Sequence, residues 1–245
     1  MKQAGILSLA LLVLACSSSK GDAPADKKSE YHYKLGTNCY LDQDVTCALA
    51  ELYRSIDLNP KNAKAHHMLG FIYMGRRQYT EALKHISLAV ELDPKFHEAR
   101  ANHGALLLAM EDWEGAIELL MPLTREPLYP TPYLVNNNIG WAYFNLKKLP
   151  LAEKYMKMAI FLNPKMCLAY NNIAMVHEAR RRTEDAIEAY RAAMKHCPDY
   201  QEPMFRLGVL YQNATRHDEA RKVLRKCVKL DPDAHFGRRC KRRLR

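Results

Sequence analysis

The chain has 245 residues, of which 48% are apolar and 26% charged, with a formal net charge of +10. That apolar share is enough to bury a substantial core. Six basic residues, Arg238, Arg239, Lys241, Arg242, Arg243 and Arg245, fall in the last eleven positions with no acid among them. The high isoelectric point is therefore mostly a property of the tail, not of a basic domain.

Residues 1–16 read MKQAGILSLALLVLAC: one early charge, Lys2, and an apolar run from Ile6 to Ala15. The run is short for a bilayer-spanning helix and has the layout of a secretory signal. Its end, Val13-Leu14-Ala15-Cys16, resembles a lipobox, with small Ala15 before the cysteine and Ser17-Ser18-Ser19 after it. That resemblance implies removal of residues 1–15 and lipid attachment at Cys16, with no other cofactor expected. Ser17 in place of Asp implies sorting to the outer membrane, on its periplasmic side. Residues 16–28 would be the lipidated cysteine and a flexible tether, because SSSKGDAPADKK holds too little apolar surface to offset ordering entropy. An exported chain argues against a nucleic-acid partner.

From residue 29 the chain repeats. Pro60, Pro94, Pro164, Pro198 and Pro232 are spaced by 34, 70, 34 and 34 residues. A period of 34 is that of the tetratricopeptide repeat. Units at 29–62, 63–96, 97–132, 133–166, 167–200 and 201–234 bring a small residue to position 8: Gly36, Gly70, Gly104, Gly140, Ala174 and Gly208. Position 20 is Ala in all six: Ala48, Ala82, Ala116, Ala152, Ala186 and Ala220. The pattern resembles the tetratricopeptide family over 29–234. It implies an all-α fold, a right-handed superhelical solenoid of six helical hairpins. Small residues at 8 and 20 permit close helix approach, and the late proline ends each second helix. In unit three, Pro127, Pro130 and Pro132 are expected to stop the second helix early. Residues 235–245 are expected to form a basic capping segment, since a solenoid's last apolar face otherwise meets water. That tail is also a candidate contact for anionic lipid or peptidoglycan.

No catalytic spacing is present: HExxH, GxSxG, GxxxxGK[ST] and a strand-linked GxGxxG are all missing. His66, His97 and His103 are scattered and are expected to be helix residues, not metal ligands. In tetratricopeptide folds the concave groove is lined by first-helix positions 2, 5, 9, 12 and 13. The resemblance places Tyr33, Tyr40 and Leu41 there in unit one, and His67, Phe71 and Met74 in unit two. It adds Leu108 from unit three and Leu134, Asn137, Trp141 and Phe144 from unit four. Asn171 and Met175 follow from unit five, and Phe205 and Val209 from unit six. An aromatic, apolar lining of this kind marks a site for a protein segment.

Six cysteines remain beyond Cys16, an even number that in an exported protein suggests disulfides. The repeat register puts Cys167 and Cys197 at the open end of one hairpin. It sets Cys39 and Cys47 on either side of a turn, and Cys227 near Cys240 on the cap. The expected pairs are Cys39–Cys47, Cys167–Cys197 and Cys227–Cys240. Buried free thiols are the alternative, for Cys227 above all, since it falls on a core position.

A lipobox, a short tether and six repeats together resemble the type IV pilus pilotins, the PilF, PilW and Tgl group, with the basic tail and cysteine set most like the Tgl subgroup. The resemblance implies that the secretin PilQ is the partner and that its localisation and multimer assembly in the outer membrane are the task. A scaffold lipoprotein that recruits peptidoglycan hydrolases, similar to NlpI, is the other reading.

Overall fold

A computed structural model of the chain describes residues 22–244. The lipidation expected at Cys16, the signal segment before it and Arg245 lie outside the described residues. Among those described, the structure is all-α, with thirteen helices and one short 3-10 turn. The contacts divide the chain into two compact units, one ending at Ala65 and one beginning at His66.

The first unit is built on a hairpin of α1 (Asp22–Leu41) and α2 (Val45–Leu58). Helix α1 therefore takes in residues 22–28, which composition assigns to the tether. Tertiary contact explains the difference: Asn59 Nδ2 donates to Asp26 Oδ1 at 2.8 Å, so the early turns of α1 have a partner that composition cannot register. A buried polar knot closes the base of the hairpin. Ser29 Oγ donates to Ser55 O at 2.8 Å, Ser55 Oγ to Ser29 O at 2.8 Å, and Asn62 Nδ2 to Ser29 Oγ at 3.0 Å. At the other end Cys39 is bonded to Cys47, with Cα atoms 5.7 Å apart.

Hairpins follow from α3 (Ala63–Gly75) with α4 (Tyr79–Leu92), and α5 (His97–Ala109) with α6 (Trp113–Leu120). Next come α7 (Pro132–Asn145) with α8 (Leu149–Leu162), α9 (Cys167–Ala179) with α10 (Thr183–His196), and α11 (Gln201–Asn213) with α12 (His217–Leu230). In the second unit each second helix packs on the next first helix, α4 on α5 through α10 on α11. The repeat register explains why. Every position-20 alanine is buried, and a Cβ on Gly140 would stand 2.7 Å from Met156 Cγ and 3.2 Å from the Ala152 carbonyl. A Cβ there would require Met156 to shift, whereas the fifth hairpin accommodates one at Ala174.

Each hairpin turns by the same device. Among the described residues, six non-glycine residues have positive φ: Gln43, Arg77, Glu111, Lys147, Arg181 and Thr215, all at position 15. The next amide reaches back to the position-11 carbonyl, as in Asp44 N to Cys39 O and Arg182 N to His177 O, both at 2.9 Å. This is the Schellman helix end, which glycine fills without steric cost. Arg181→Gly is therefore expected to raise stability by about 0.5–1 kcal/mol. A chemical denaturation midpoint that falls would contradict this.

The proline positions carry a second device. Asn59, Asp93, Asn163 and Asp231 stand just before proline in extended backbone, as that neighbour demands. Each side-chain oxygen accepts the amide two residues on, at 2.9–3.1 Å. In the fifth repeat Cys197 replaces this residue, and it is bonded to Cys167 at the start of α9, Cα–Cα 5.9 Å.

The third hairpin departs. Helix α6 ends at Leu120, and a 3-10 turn, Met121–Arg125, carries Pro122 at its start. Pro122 is the breaker, ahead of Pro127, Pro130 and Pro132, because proline cannot donate the amide that would continue α6. After α12 the chain turns into α13 (His235–Arg243), which packs on α11 and α12 and is bonded to α12 through Cys227–Cys240, Cα–Cα 6.3 Å. Cys227 occupies position 27, where Ala89, Ala159 and Ala193 stand in other repeats, so a small core residue has become the anchor of the cap.

Candidate functional site

The first helices of the second unit present a row of apolar side chains at position 9: Phe71, Trp141, Met175 and Val209 are half-buried, with Ala105 between the first two. Trp141, Phe144, Met175 and Val209 all pack on one core cluster that runs from Ala152 to Cys240. Phe144 stacks on Trp141 at 5.4 Å between ring centroids, and Lys147 Nζ stands 5.7 Å from the Phe144 ring. Met74 and Leu108 are half-buried, and Leu134 is 41% exposed at the start of α7. Trp141, Phe144, Met175 and Val209 have one face on the core and are only partly buried.

Four expected groove residues are core residues instead. His67, Asn137, Asn171 and Phe205 are all less than 9% exposed. Position 5 points between neighbouring first helices, where it meets position 6 of the next repeat. Asn102 and His67 are hydrogen-bonded at 2.8 Å, and Asn172 Nδ2 donates to Asn137 Oδ1 at 3.0 Å; both bonds span 35 residues, one period plus one. Asn171 lacks such a partner and its Oδ1 is buried without a hydrogen bond. The residue at position 6 of the following repeat is Arg206, whose Nε donates to Glu202 at 2.8 Å. Phe205 lies beneath the cap: its ring is 5.8 Å from Phe236, and the Arg239 guanidinium sits over it at 4.1 Å. The protein's own C-terminal helix thus covers Phe205 at position 5 of the sixth repeat.

In the first unit, Tyr33 and Tyr40 are half-buried and Leu41 is 72% exposed. Lys64 Nζ lies 5.9 Å from the Tyr33 ring. Leu168, at position 2 of the fifth repeat, is missing from the residues expected in the groove, yet it is 42% exposed like its equivalent Leu134. Asn102 and Asn172 are missing too, although their separation of 35 residues from His67 and Asn137 was a signal present in the sequence. A further stripe on α8, with Leu151, Met158, Phe161 and Leu162 all exposed, lies outside the residues expected in the groove; Leu162 is the leucine that precedes Asn163-Pro164, as Leu58, Leu92 and Leu230 precede theirs.

The histidines serve packing. His66 Nδ1 is 3.0 Å from His85 Nδ1, both rings are buried, and His85 stacks on Tyr73. Burial, with help from His66 and Lys84, pushes the His85 pKa down to about 4. Burial also lowers His67, His103 and His177. His97 Nε2 stands 3.8 Å from Glu126. No group of three or more His, Cys, Asp or Glu able to hold a metal forms among the described residues. A 390 Å³ cleft between α8, α9 and α10 is lined by Glu153, His177 and Arg182. Burial would raise the Glu153 pKa, but Lys157, Arg182 and Arg180 outweigh it and hold the carboxyl below its usual range. That cluster is an ion network over a hairpin, with no Ser, Cys or Thr in the lining of the cleft.

Stacked hairpins with small residues at 8 and 20 and an apolar inner row define a tetratricopeptide-repeat fold. Tetratricopeptide repeat profiles match residues 63–96 and 178–237. The chain is similar to the type IV pilus assembly protein PilF of Pseudomonas aeruginosa, 22% identical over 169 residues that cover 66% of this chain and 67% of PilF. It is also similar to the BBSome complex member BBS4 of Bos taurus, 24% identical over 197 residues, 80% of this chain but only 38% of that protein. Among solved structures, PilW, described as a widely conserved type IV pilus biogenesis factor, superposes with a TM-score of 0.79 at 19% identity, covering 86% of this chain and 97% of PilW. Pseudomonas aeruginosa PilF superposes with a TM-score of 0.74 at 18% identity, covering 89% of this chain and 99% of that one.

Proposed function

We propose that this protein is a pilotin of the type IV pilus system, most like the Tgl subgroup. It is held at the outer membrane by lipid on Cys16 and binds a segment of the secretin PilQ. The observation that carries the reading is the half-buried apolar row of Trp141, Phe144, Met175 and Val209 on the successive first helices α7, α9 and α11. A row with one face on the core is rigid, so little side-chain entropy remains to be lost when a partner covers the other face. Helical spacing of the pockets suits an extended or helical peptide taken up through its apolar side chains. The pairing of Asn137 with Asn172 leaves no open set of amides for a carboxylate clamp there, so apolar contact supplies the affinity.

Similarity to PilF and PilW supplies the pilus context, and the chain's fold-level match extends over nearly the whole of both relatives. Acyl chains at Cys16 would give an address and raise the effective concentration of the row near the membrane. No chemistry is required of the chain: the task is to hold an aggregation-prone segment until it assembles.

Deleting the gene in its host and following PilQ by gel electrophoresis tests this. Heat-stable PilQ multimers should disappear from the outer-membrane fraction while PilQ monomer persists. Multimers present at wild-type level would refute the pilotin reading, and recovery of peptidoglycan hydrolases in a pull-down would replace it with the scaffold alternative.

A further inference from the structure

The sixth hairpin and its cap carry a charge that the inner row does not use. Residues 217–244 contain ten Lys and Arg against four Asp and Glu. Three of the four carboxylates are engaged locally: Asp218 on Arg221, Glu219 on Arg216, and Asp231 on the amides of Asp233 and Ala234. On α12, Lys222, Arg225, Lys226 and Lys229 are exposed and join no ion pair among the described residues. Lys241, Arg242 and Arg243 on α13 are in the same condition.

This is a fixed surface, not a loose tail. Cys240 is bonded to Cys227, Phe236 packs on Phe205, and Gln212 Nε2 donates to Arg243 O at 3.1 Å. Gly237 lies so close under the Asp231 carbonyl that a Cβ there would collide with it, which pins the start of α13 against the α12–α13 loop. Phe236, Gly237, Cys240 and Leu244 turn inward at helical spacing, so the cations occupy the outward faces. Beside α12, between it and α10, a 500 Å³ cleft has Met194, Leu207 and Val223 in its lining, with the exposed cations Arg191, Lys222 and Lys226 and one carboxylate, Glu219, which is paired with Arg216 and Arg191.

Protein-binding surfaces are poor in lysine at their centre and rely on apolar anchors. Here the only exposed large apolar residue on α12 and α13, among those described, is Leu230 at 37%. A dense, rigid, single-sign array without anchors fits a diffuse anionic surface, where each Lys or Arg adds attraction within a Debye length. The neighbouring cleft adds an apolar recess with Lys222 and Lys226 at its edge, its one carboxylate, Glu219, being already paired with arginine, which suits an amphiphile with an anionic head.

We propose that α12 and α13 form a docking surface for an anionic phospholipid bilayer, independent of whatever occupies the inner row. The test uses the mature chain, residues 16–245 carrying Cys16→Ser, so that neither an acyl anchor nor the apolar run Ile6–Ala15 competes, and flotation with vesicles of phosphatidylcholine alone or mixed with phosphatidylglycerol. Binding should rise on the mixed vesicles and fall with added salt. Arg225→Glu/Lys229→Glu/Arg242→Glu should weaken binding to mixed vesicles by about 100-fold or more, with an unchanged melting curve. Reversing the exposed Lys84, Lys95 and Lys165 instead should leave vesicle binding as it was. Equal binding to neutral and anionic vesicles overturns the proposal, as does a C-terminal reversal that binds like the parent. Retention by polyglutamate or peptidoglycan without any preference for anionic vesicles overturns it in favour of a soluble or wall-borne polyanion.

Discussion

Alanine at both Trp141 and Phe144 is expected to lower affinity for the partner segment by about 100-fold or more, the scale of losing two aromatic anchors. The two rings stack on each other and rest on the same buried cluster as Met175 and Val209, so they form the largest apolar area of the inner row. Each is half-buried in the free protein, and the remaining half is what a partner would cover. Truncation also removes some packing, so the change must be separated from stability. Affinity for a PilQ fragment by calorimetry, paired with a thermal melt, makes that separation. An affinity within about threefold of wild type would remove the inner row from the binding site, since anchor residues cost far more than that. Restoring Trp141 alone should recover part of the affinity, and Leu at both positions should recover less than the aromatics do.

Acid is expected to destabilise the second unit well before its carboxylates titrate. His85 is 4% exposed and its folded pKa is about 4, against an ordinary 6.5. Below 6.5 the unfolded chain takes up a proton that the folded chain refuses, so stability is full above that value and falls until the pH reaches about 4. For His85 alone the loss across that window amounts to about 3 kcal/mol. His67, His103 and His177 shift in the same direction and add to it. His66, Tyr73, Lys84 and Glu81 lie around His85; Glu81 favours the protonated ring, while His66 and Lys84 oppose it. Urea midpoints measured between about pH 7 and pH 5 isolate the histidines from Glu153 and Glu219, whose pKa values are lowered and which titrate further down. His85→Gln should flatten the slope. A midpoint that does not move across that interval would show that the cluster accepts protons without loss.

Much of the architecture was legible because the tetratricopeptide pattern is a set of steric demands that recur every 34 residues. Alanine at position 20, a small residue at position 8 and proline near the end of the second helix each report a local packing requirement, so composition in register is enough to place the hairpins. The same register brings Cys167 to one end of its hairpin and Cys197 to the facing helix at that end, where the structure joins them. Local rules of this kind need no knowledge of distant chain.

The rest depended on neighbours. Position 5 lines a groove only where the next repeat leaves it uncovered; here His67 and Asn137 are taken up by Asn102 and Asn172, and Phe205 is roofed by Phe236 and Arg239. Helix α1 reaches back to Asp22 with Asn59 bonded to Asp26, a contact invisible to composition. The order of residues was thus enough to set the hairpins, their period and the inner face of each first helix, because those follow from sterics within one repeat. Which inner residues stay accessible, and that the expected cap roofs Phe205, emerged only once the chain was folded, because burial is set by what the following repeat and the cap place on top.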